Sequence, residues 1–238
     1  MYKYKKDQPT TYCLGTTLTM EALRFKGEQI KKVYISPKQK RDETYEKLLS
    51  LCKDKRIPVI ENNEKIFREL SEKDNCMVVG EFEKFHSPLS KTKNHVVLVN
   101  PSNLGNLGTI FRSCFGFYIE DVAIITPSAD EFDPKTIRAS MGAVFHLNIA
   151  LYPDFASYQK DYPEHHCYPF MLQASTLLKE AQINSPWSLV FGNEAKGLDQ
   201  SFLKVGSPLI IPQNKGLDSL NLDNAVSIGL YEFSRNQQ

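Results

Sequence analysis

The stretch "HVVLVNPSNLGNLGTIFR", residues 95–112, starts as an unbroken apolar run, crosses a loop of asparagine and glycine, and ends in the first turns of an apolar-striped helix. Successive strand residues point to opposite faces, so a strand apolar at every position is covered on both sides. Five later runs repeat the pattern: "DVAIIT" (121–126), "HLNIALY" (146–152), "YPFMLQA" (168–174), "WSLVFGN" (187–193) and "LIIPQ" (209–213). Helical stretches fall among them, namely "GTIFRSCFGF" (108–117), "PKTIRASMGAVF" (134–145) and "FASYQKDY" (155–162). Buried strands alternating with helices predict an α/β domain on a parallel sheet. Ligands of such sheets bind in the loops beyond the strands' carboxyl ends, so the loops are where function is sought.

Working upstream, "KKVYIS" (31–36), "IPVIE" (57–61) and "NCMVVGEF" (75–82) read as strands, and "DETYEKLLSLCKDKR" (42–56) and "NNEKIFREL" (62–70) as helices. They predict a small α/β unit. "KFHSPLSKTKNH" (84–95) is polar and aperiodic and carries Pro88, which makes it the linker. The expected domains are 1–92 and 93–238.

The 238 residues are 41% hydrophobic and 24% charged, an ordinary globular composition. Net charge is +1, but residues up to 92 hold 19 Lys and Arg against 14 Asp and Glu, and those beyond hold 10 against 14. The basic half, densest in "KKVYISPKQKR" (31–41), is the candidate for holding a polyanion, with a solvated lysine-rich surface as the plain alternative. Five scattered cysteines without a C-x-x-C pair, and a start without an apolar leader, give the expectation of a reduced, cytoplasmic protein. No apolar run approaches the length of a bilayer span, so no membrane role is expected.

Three strand ends stand out: the opening loop, "FGNEAKGL" (191–198) and "IPQNKGLDSLN" (211–221). No G-x-x-x-x-G-K-[ST], G-x-G-x-x-G or G-x-S-x-G occurs, which removes P-loop, dinucleotide and serine-hydrolase chemistry. His165, His166 and Cys167 are adjacent, point in diverging directions and lack a second ligand pair, so they read as a polar loop and no metal is expected. In the last segment Leu222, Ala225, Val226, Gly229, Leu230 and Phe233 form one helical stripe, with Asn221 placed to cap it and Ser219 just before.

Together the three loops resemble the motifs of the SpoU (TrmH-like) family of RNA ribose 2′-O-methyltransferases, within the SPOUT superfamily. The first motif sets its asparagine six residues before an arginine, which matches Asn106 and Arg112 and makes the second Asn-Leu-Gly the motif copy. The family often has proline two residues before that asparagine. Here Pro101 stands five before it, a longer loop that leaves the roles of Asn103 and Gly105 open. The second motif matches Phe191–Glu194 followed by Gly197 and Leu198, and the third Ile211–Pro212 with Ser219–Asn221. The first ninety residues resemble, at the level of pattern, the small α/β RNA-binding domain that precedes many such catalytic domains.

The resemblance implies a SPOUT fold with a C-terminal trefoil knot, S-adenosylmethionine as cofactor, ribosomal or transfer RNA as substrate, no metal, and a homodimer in which each site borrows residues from the partner. By position it implies cofactor contacts at Leu172, Gln173, Ala174, Gly192, Asn193, Ile211, Pro212 and Leu220. It implies catalytic roles for Arg112, Asn106, Glu194, Ser219 and Asn221. The family assigns the arginine as base, whereas a guanidinium that stays cationic favours gripping phosphate or stabilising a developing alkoxide. Glu194 is read as catalytic or as a structural charge, Ser219 and Asn221 as substrate contacts or helix caps, and Arg138 as a phosphate contact or a cap. The competing reading is an inert RNA-binding protein that keeps the fold. A small-molecule methyltransferase on an open sheet is disfavoured by the missing glycine fingerprint and the basic leading domain.

Overall fold

The computed structural model describes residues 2–70, 76–214 and 216–235. Asn75, first residue of the run "NCMVVGEF", and Lys215 of the third motif loop lie outside them. The chain divides into two compact units, residues 1–85 with 130–146, and 86–129 with 147–238.

In chain order the elements are β1 (Thr10–Leu14), α1 (Thr16–Lys26), β2 (Ile30–Ile35), α2 (Glu43–Asp54), β3 (Val59–Glu61), α3 (Glu64–Leu70), β4 (Val78–Glu83), β5 (His95–Val99), α4 (Leu104–Gly116), β6 (Asp121–Ile125), α5 (Pro134–Ala139), β7 (Asn148–Tyr152), α6 (Phe155–Asp161), β8 (His166–Pro169), β9 (Thr176–Leu177), β10 (Trp187–Phe191), β11 (Leu209–Ile210) and α7 (Leu222–Ser234). Among the described residues no helix is long and apolar enough to cross a membrane.

The first unit is a four-stranded sheet in the order β1-β4-β2-β3, antiparallel except for the β2–β3 pair. Its opening strand and helix, β1 and α1, were absent from the sequence reading: "TTYCL" is short, and the apolar stripe of "TTLTMEALRFK" is broken by polar residues. The segment Asp130–His146 lies beyond the predicted linker in sequence yet packs in this unit. Phe132 sits 4.8 Å from the ring of Phe85 and Phe145 5.4 Å from Phe82, and Thr11 Oγ1 donates to the carbonyl of Phe132 at 2.6 Å. Four buried phenylalanines thus join stretches about fifty residues apart in the chain. "PKTIRASMGAVF", expected as one helix, breaks at Met141 (φ 52°) and Gly142 (φ 91°), where left-handed backbone turns the chain into a short 3₁₀ segment.

The second unit carries the predicted parallel sheet, in the order β7-β6-β5-β10-β8. Every residue of β6 and β10 is buried, as continuous apolar runs require. The run "YPFMLQA" leaves the sheet earlier than expected. β8 is an edge strand ending at Pro169, and Phe170 then bridges to Leu209, so the chain turns towards the small β9–β11 pair. "LIIPQ" forms only the two-residue strand β11. α7 packs beside α4, with Ser113 and Ser227 hydroxyls 2.8 Å apart. Gly229 lets α7 press close: a Cβ there would stand 2.8 Å from Phe170 Cζ and 3.1 Å from Phe191 Cζ. These two rings stack at 4.4 Å and form one wall of the site described next.

Candidate active site

Strand order reverses between β5 and β10, and a parallel sheet opens a crevice at such a switch point. The loops after β8, β10 and β11 meet beyond the carboxyl ends of β8 and β10 around a cavity of about 300 Å³, and the loop after β5 contributes none of its described lining. Of the residues expected from sequence, Leu172, Gln173, Gly192, Asn193, Ile211 and Leu220 line it, together with Glu194 and Ser219. Ala174 and Pro212 do not, and neither do Asn106, Arg112 and Asn221. Ala174 packs instead against the buried cluster under the sheet. Phe170, Gln213, Asp218 and Ala225 also line the cavity; the sequence reading placed none of them in the site, since nothing in their local pattern separates them from strand, loop and helix-stripe positions.

The loop after β10 is held by its own atoms. A Cβ on Gly192 would lie 2.2 Å from the carbonyl carbon of Gly197 and 2.4 Å from Leu198 N, so glycine is required by the turn folding back on itself. Asn193 Oδ1 accepts from the N–H groups of Ala195 and Lys196 at 3.0 and 3.2 Å, and its Nδ2 donates to the carbonyl of Asn100 at 2.9 Å. Asn193 therefore pins this loop to the end of β5.

Glu194 pins it a second time. One carboxylate oxygen accepts from Ser102 N–H (2.9 Å) and Oγ (2.7 Å), and the other from Asn103 N–H (3.0 Å) and Asn106 Nδ2 (3.4 Å). Burial pushes this carboxyl up, but the donors of Ser102 and Asn103 outweigh it and hold the group below the ordinary glutamate range. It is an anchored anion, and among the described residues no arginine pairs with it.

The open question about the first Asn-Leu-Gly copy is answered at the same place. Asn103 is the N-cap of α4, its Oδ1 accepting from Gly105 N–H and Asn106 N–H at 2.8 and 3.0 Å. The longer loop supplies a cap, and the motif copy begins inside the helix. Arg112, further along α4, is exposed and makes no ion pair or hydrogen bond with any described residue.

Asn221 stands at the N-cap of α7 but makes no capping hydrogen bond, and Ser219 is exposed, so the capping role does not account for either side chain. Arg138 caps nothing: Asp133 holds the N-cap of α5, and Arg138 lies exposed in its last turn. His165 to Cys167, expected as a polar loop, instead lead into β8. His165 Nδ1 is 2.9 Å from Ser188 Oγ and Nε2 is 3.2 Å from the carbonyl of Lys91. No cluster of metal-ligating side chains occurs among the described residues.

The family described as SpoU rRNA methylase matches residues 93–231, over half of the chain. The chain belongs to the SpoU family. A second family, described as the RNA 2′-O ribose methyltransferase substrate-binding domain, matches residues 12–88 of the same SpoU protein. A Bacillus subtilis relative named 23S rRNA (guanosine(2553)-2′-O)-methyltransferase RlmP is 29% identical over 154 residues, 62% of this chain and 62% of that protein. An uncharacterized tRNA/rRNA methyltransferase of Mycoplasma pneumoniae is 25% identical over 95% of this chain and 98% of its own length. The match spans 57% of the length of a Synechocystis relative and 30% of a Syntrophobacter fumaroxidans one. Among solved structures, an AdoMet-bound rRNA methyltransferase from Sinorhizobium meliloti superposes with a TM-score of 0.84 at 28% identity, covering 97% of this SpoU chain and 88% of that one.

The anchoring of Glu194 makes a direct prediction for this SpoU chain. Glu194→Gln places an amide donor against donors of Ser102 or Asn103, so one charge-assisted pairing is lost whichever way the amide turns. The expected cost is about 1 kcal/mol. It is read as a lowered thermal midpoint, and an unchanged midpoint would remove the anchoring role.

Proposed function

We propose that this SpoU protein transfers a methyl group from S-adenosylmethionine to a ribose 2′-hydroxyl of ribosomal or transfer RNA. The carrying observation is that the loops after β8, β10 and β11, separated by up to fifty residues in sequence, converge on one cavity beyond the carboxyl ends of β8 and β10. The residues present fit such a cofactor. The cavity walls are mainly apolar side chains, glycine and loop main chain, a donor set suited to a flat heterocycle and an amino-acid tail rather than to a metal. Leu172, Gln173, Gly192, Asn193, Ile211 and Leu220 would hold it, with Ala174 and Pro212 shaping the loops behind them. Bound there, S-adenosylmethionine supplies an electrophilic methyl carbon.

The remaining roles fall to the chain's own side chains. Transfer to a hydroxyl needs alignment and an oxygen made more nucleophilic. Arg112 is a permanent cation; it grips the target phosphate or stabilises charge developing on the ribose oxygen, and a guanidinium is not a base at neutral pH. Asn106 is oriented by Glu194 and presents its amide beside the cavity. Ser219 and Asn221 offer an uncommitted hydroxyl and amide.

The reading includes a homodimer. Arg112 lies six residues beyond Asn106, about 9 Å along α4 and about 120° around it, so it does not share the face that meets Glu194. The exposed Phe115 near the end of α4, Tyr118 just beyond it, and Ile228 and Tyr231 of α7 offer apolar side chains for a second copy. The trefoil knot of the family belongs to the same proposal, supported by the return of α7 onto the Phe170 and Phe191 rings after β11. The cytoplasm is the compartment it implies. The inert RNA-binding alternative has no observation in its favour.

The test is transfer of labelled methyl from S-adenosylmethionine to total RNA of a strain lacking the gene, mapped by nuclease and alkaline digestion. Label in an alkali-resistant dinucleotide is the expected result. Absence of transfer by protein that binds the cofactor would overturn the enzyme reading.

A further inference from the structure

The first unit contains its own cavity, of about 480 Å³, that none of the three loop motifs lines. Five separated stretches build it among the described residues: Lys3 and Tyr4, the β1–α1 junction at Gly15, Glu69 and Leu70 at the end of α3, Cys76, and Lys135 with Arg138 of the Asp130–His146 segment. Its charge is unbalanced in a particular way. The two acids on its rim are already engaged: Glu69 accepts the N–H of Tyr2 and lies 3.8 Å from Lys65 Nζ, while Asp133 accepts the N–H of Lys135 as the α5 cap. Lys3 and Arg138 make no ion pair with any described residue, and with Lys135 they set three cations against the two carboxylates of Glu69 and Asp133 among the described lining residues. At Gly15 no atom of a described residue stands within 4 Å of where a Cβ would lie.

We propose that this cavity anchors a phosphate-bearing nucleotide of the RNA substrate, with Lys3 and Arg138 on the phosphate. The size suits one nucleotide, since ligand cavities run from about 300 Å³ upward. Leu14 and Leu70 give it an apolar wall against which a sugar and base are placed without a sequence-specific contact. Such a contact fixes register on the RNA rather than identity of the base. The cations come from opposite ends of the primary structure of this unit, so the site exists only when the Asp130–His146 segment is docked. The proposal rests on the RNA reading above and adds to it the place where the RNA backbone is held.

The experiment uses the full-length protein and total ribosomal RNA, with binding measured by filter retention across a series of salt concentrations. In Lys3→Ala/Arg138→Ala, RNA affinity is expected to fall at least about tenfold, and the slope of log K against log salt to shrink by about two, one for each lost phosphate contact. S-adenosylmethionine binding and the thermal midpoint stay as in the wild type, and Arg138→Glu alone gives a larger affinity loss than Arg138→Gln. Wild-type binding of RNA with equal affinity and slope in the double variant overturns the anchoring site while leaving the RNA reading intact. Failure of the wild type to bind RNA overturns both. Adenosine 5′-monophosphate is the second arm: binding to the wild type and not the variant, with RNA affinity unaltered, assigns the cavity to a free nucleotide and overturns the proposal.

Discussion

Arg112→Ala is expected to lower methyl transfer by about 10²–10³-fold while leaving cofactor affinity and thermal midpoint where they are. The size is that of removing one preorganised donor from a site of developing negative charge. The stability expectation follows from the side chain's surroundings: Arg112 is exposed and has no partner among the described residues, so its loss leaves nothing buried and unpaired. Arg112→Lys keeps the charge and loses the two-pronged geometry, and recovers only part of the rate. Full activity of the lysine variant would show that charge alone suffices. The dimer reading sharpens the test. Gly192→Ala places a Cβ 2.2 Å from Gly197's carbonyl carbon and collapses the cavity loop in its own subunit. If Arg112 serves the partner's cavity, a re-equilibrated equal mixture of Arg112→Ala and Gly192→Ala subunits regains about a quarter of the wild-type sites, because each mixed dimer has one intact composite site. No recovery from mixing, with exchange verified, would place Arg112 in the site of its own subunit.

The sequence pattern was most legible where a single local rule operates. Apolar runs announced β5, β6, β7 and β10, most plainly the inner β5, β6 and β10, because a strand buried on both faces has no polar position to spare, whereas β8 shares only Tyr168 and Pro169 with its expected run. The spacing of Asn106 from Arg112 selects the second Asn-Leu-Gly as the motif copy, and the structure gives the first a separate duty: its Asn103 caps the helix that carries the second. What was not legible depends on residues distant in the chain. Ser102 holds Glu194 across 92 positions, and no periodicity marks a serine for that duty. The capture of Asp130–His146 by the N-terminal unit rests on Phe132 and Phe145 meeting Phe82 and Phe85, a contact that local helical spacing around "PKTIRASMGAVF" cannot express. The His165 region failed for the same reason: its partner, Ser188, sits on the neighbouring strand β10, and only the register of β8 against β10 brings them together.

That same pairing sets a pH limit on stability. His95 is wholly buried at the start of β5, its Nε2 2.7 Å from the carbonyl of Ser90 and its Nδ1 2.8 Å from the hydroxyl of Tyr158. The carbonyl contact of His95 requires an N–H on Nε2, which leaves its Nδ1 to accept from the Tyr158 hydroxyl in a neutral ring. Burial first, then the neighbouring His165, pushes His95 down to about 3, and burial lowers His165 as well. The sign follows from proton binding: below about pH 6.5 the unfolded chain takes up protons that the folded chain refuses, so stability is complete above that value and falls with acid. Each unit costs about 1.4 kcal/mol per such histidine, which makes the loss at pH 5 about 2 kcal/mol from His95 alone, with His165 adding in the same direction. Urea midpoints at pH 7, 6 and 5 read it directly. In His95→Gln the stability at pH 7 drops, since a buried ring is lost, but the further loss between pH 7 and 5 shrinks by about the His95 share. Asp121, whose carboxyl burial pushes up, works in the opposite direction and does so equally in both proteins, so it cancels from the comparison. Identical acid slopes in wild type and variant would mean that His95 carries its proton in the folded state and that the buried chain of His95, Tyr158, Ser188 and His165 holds a charge.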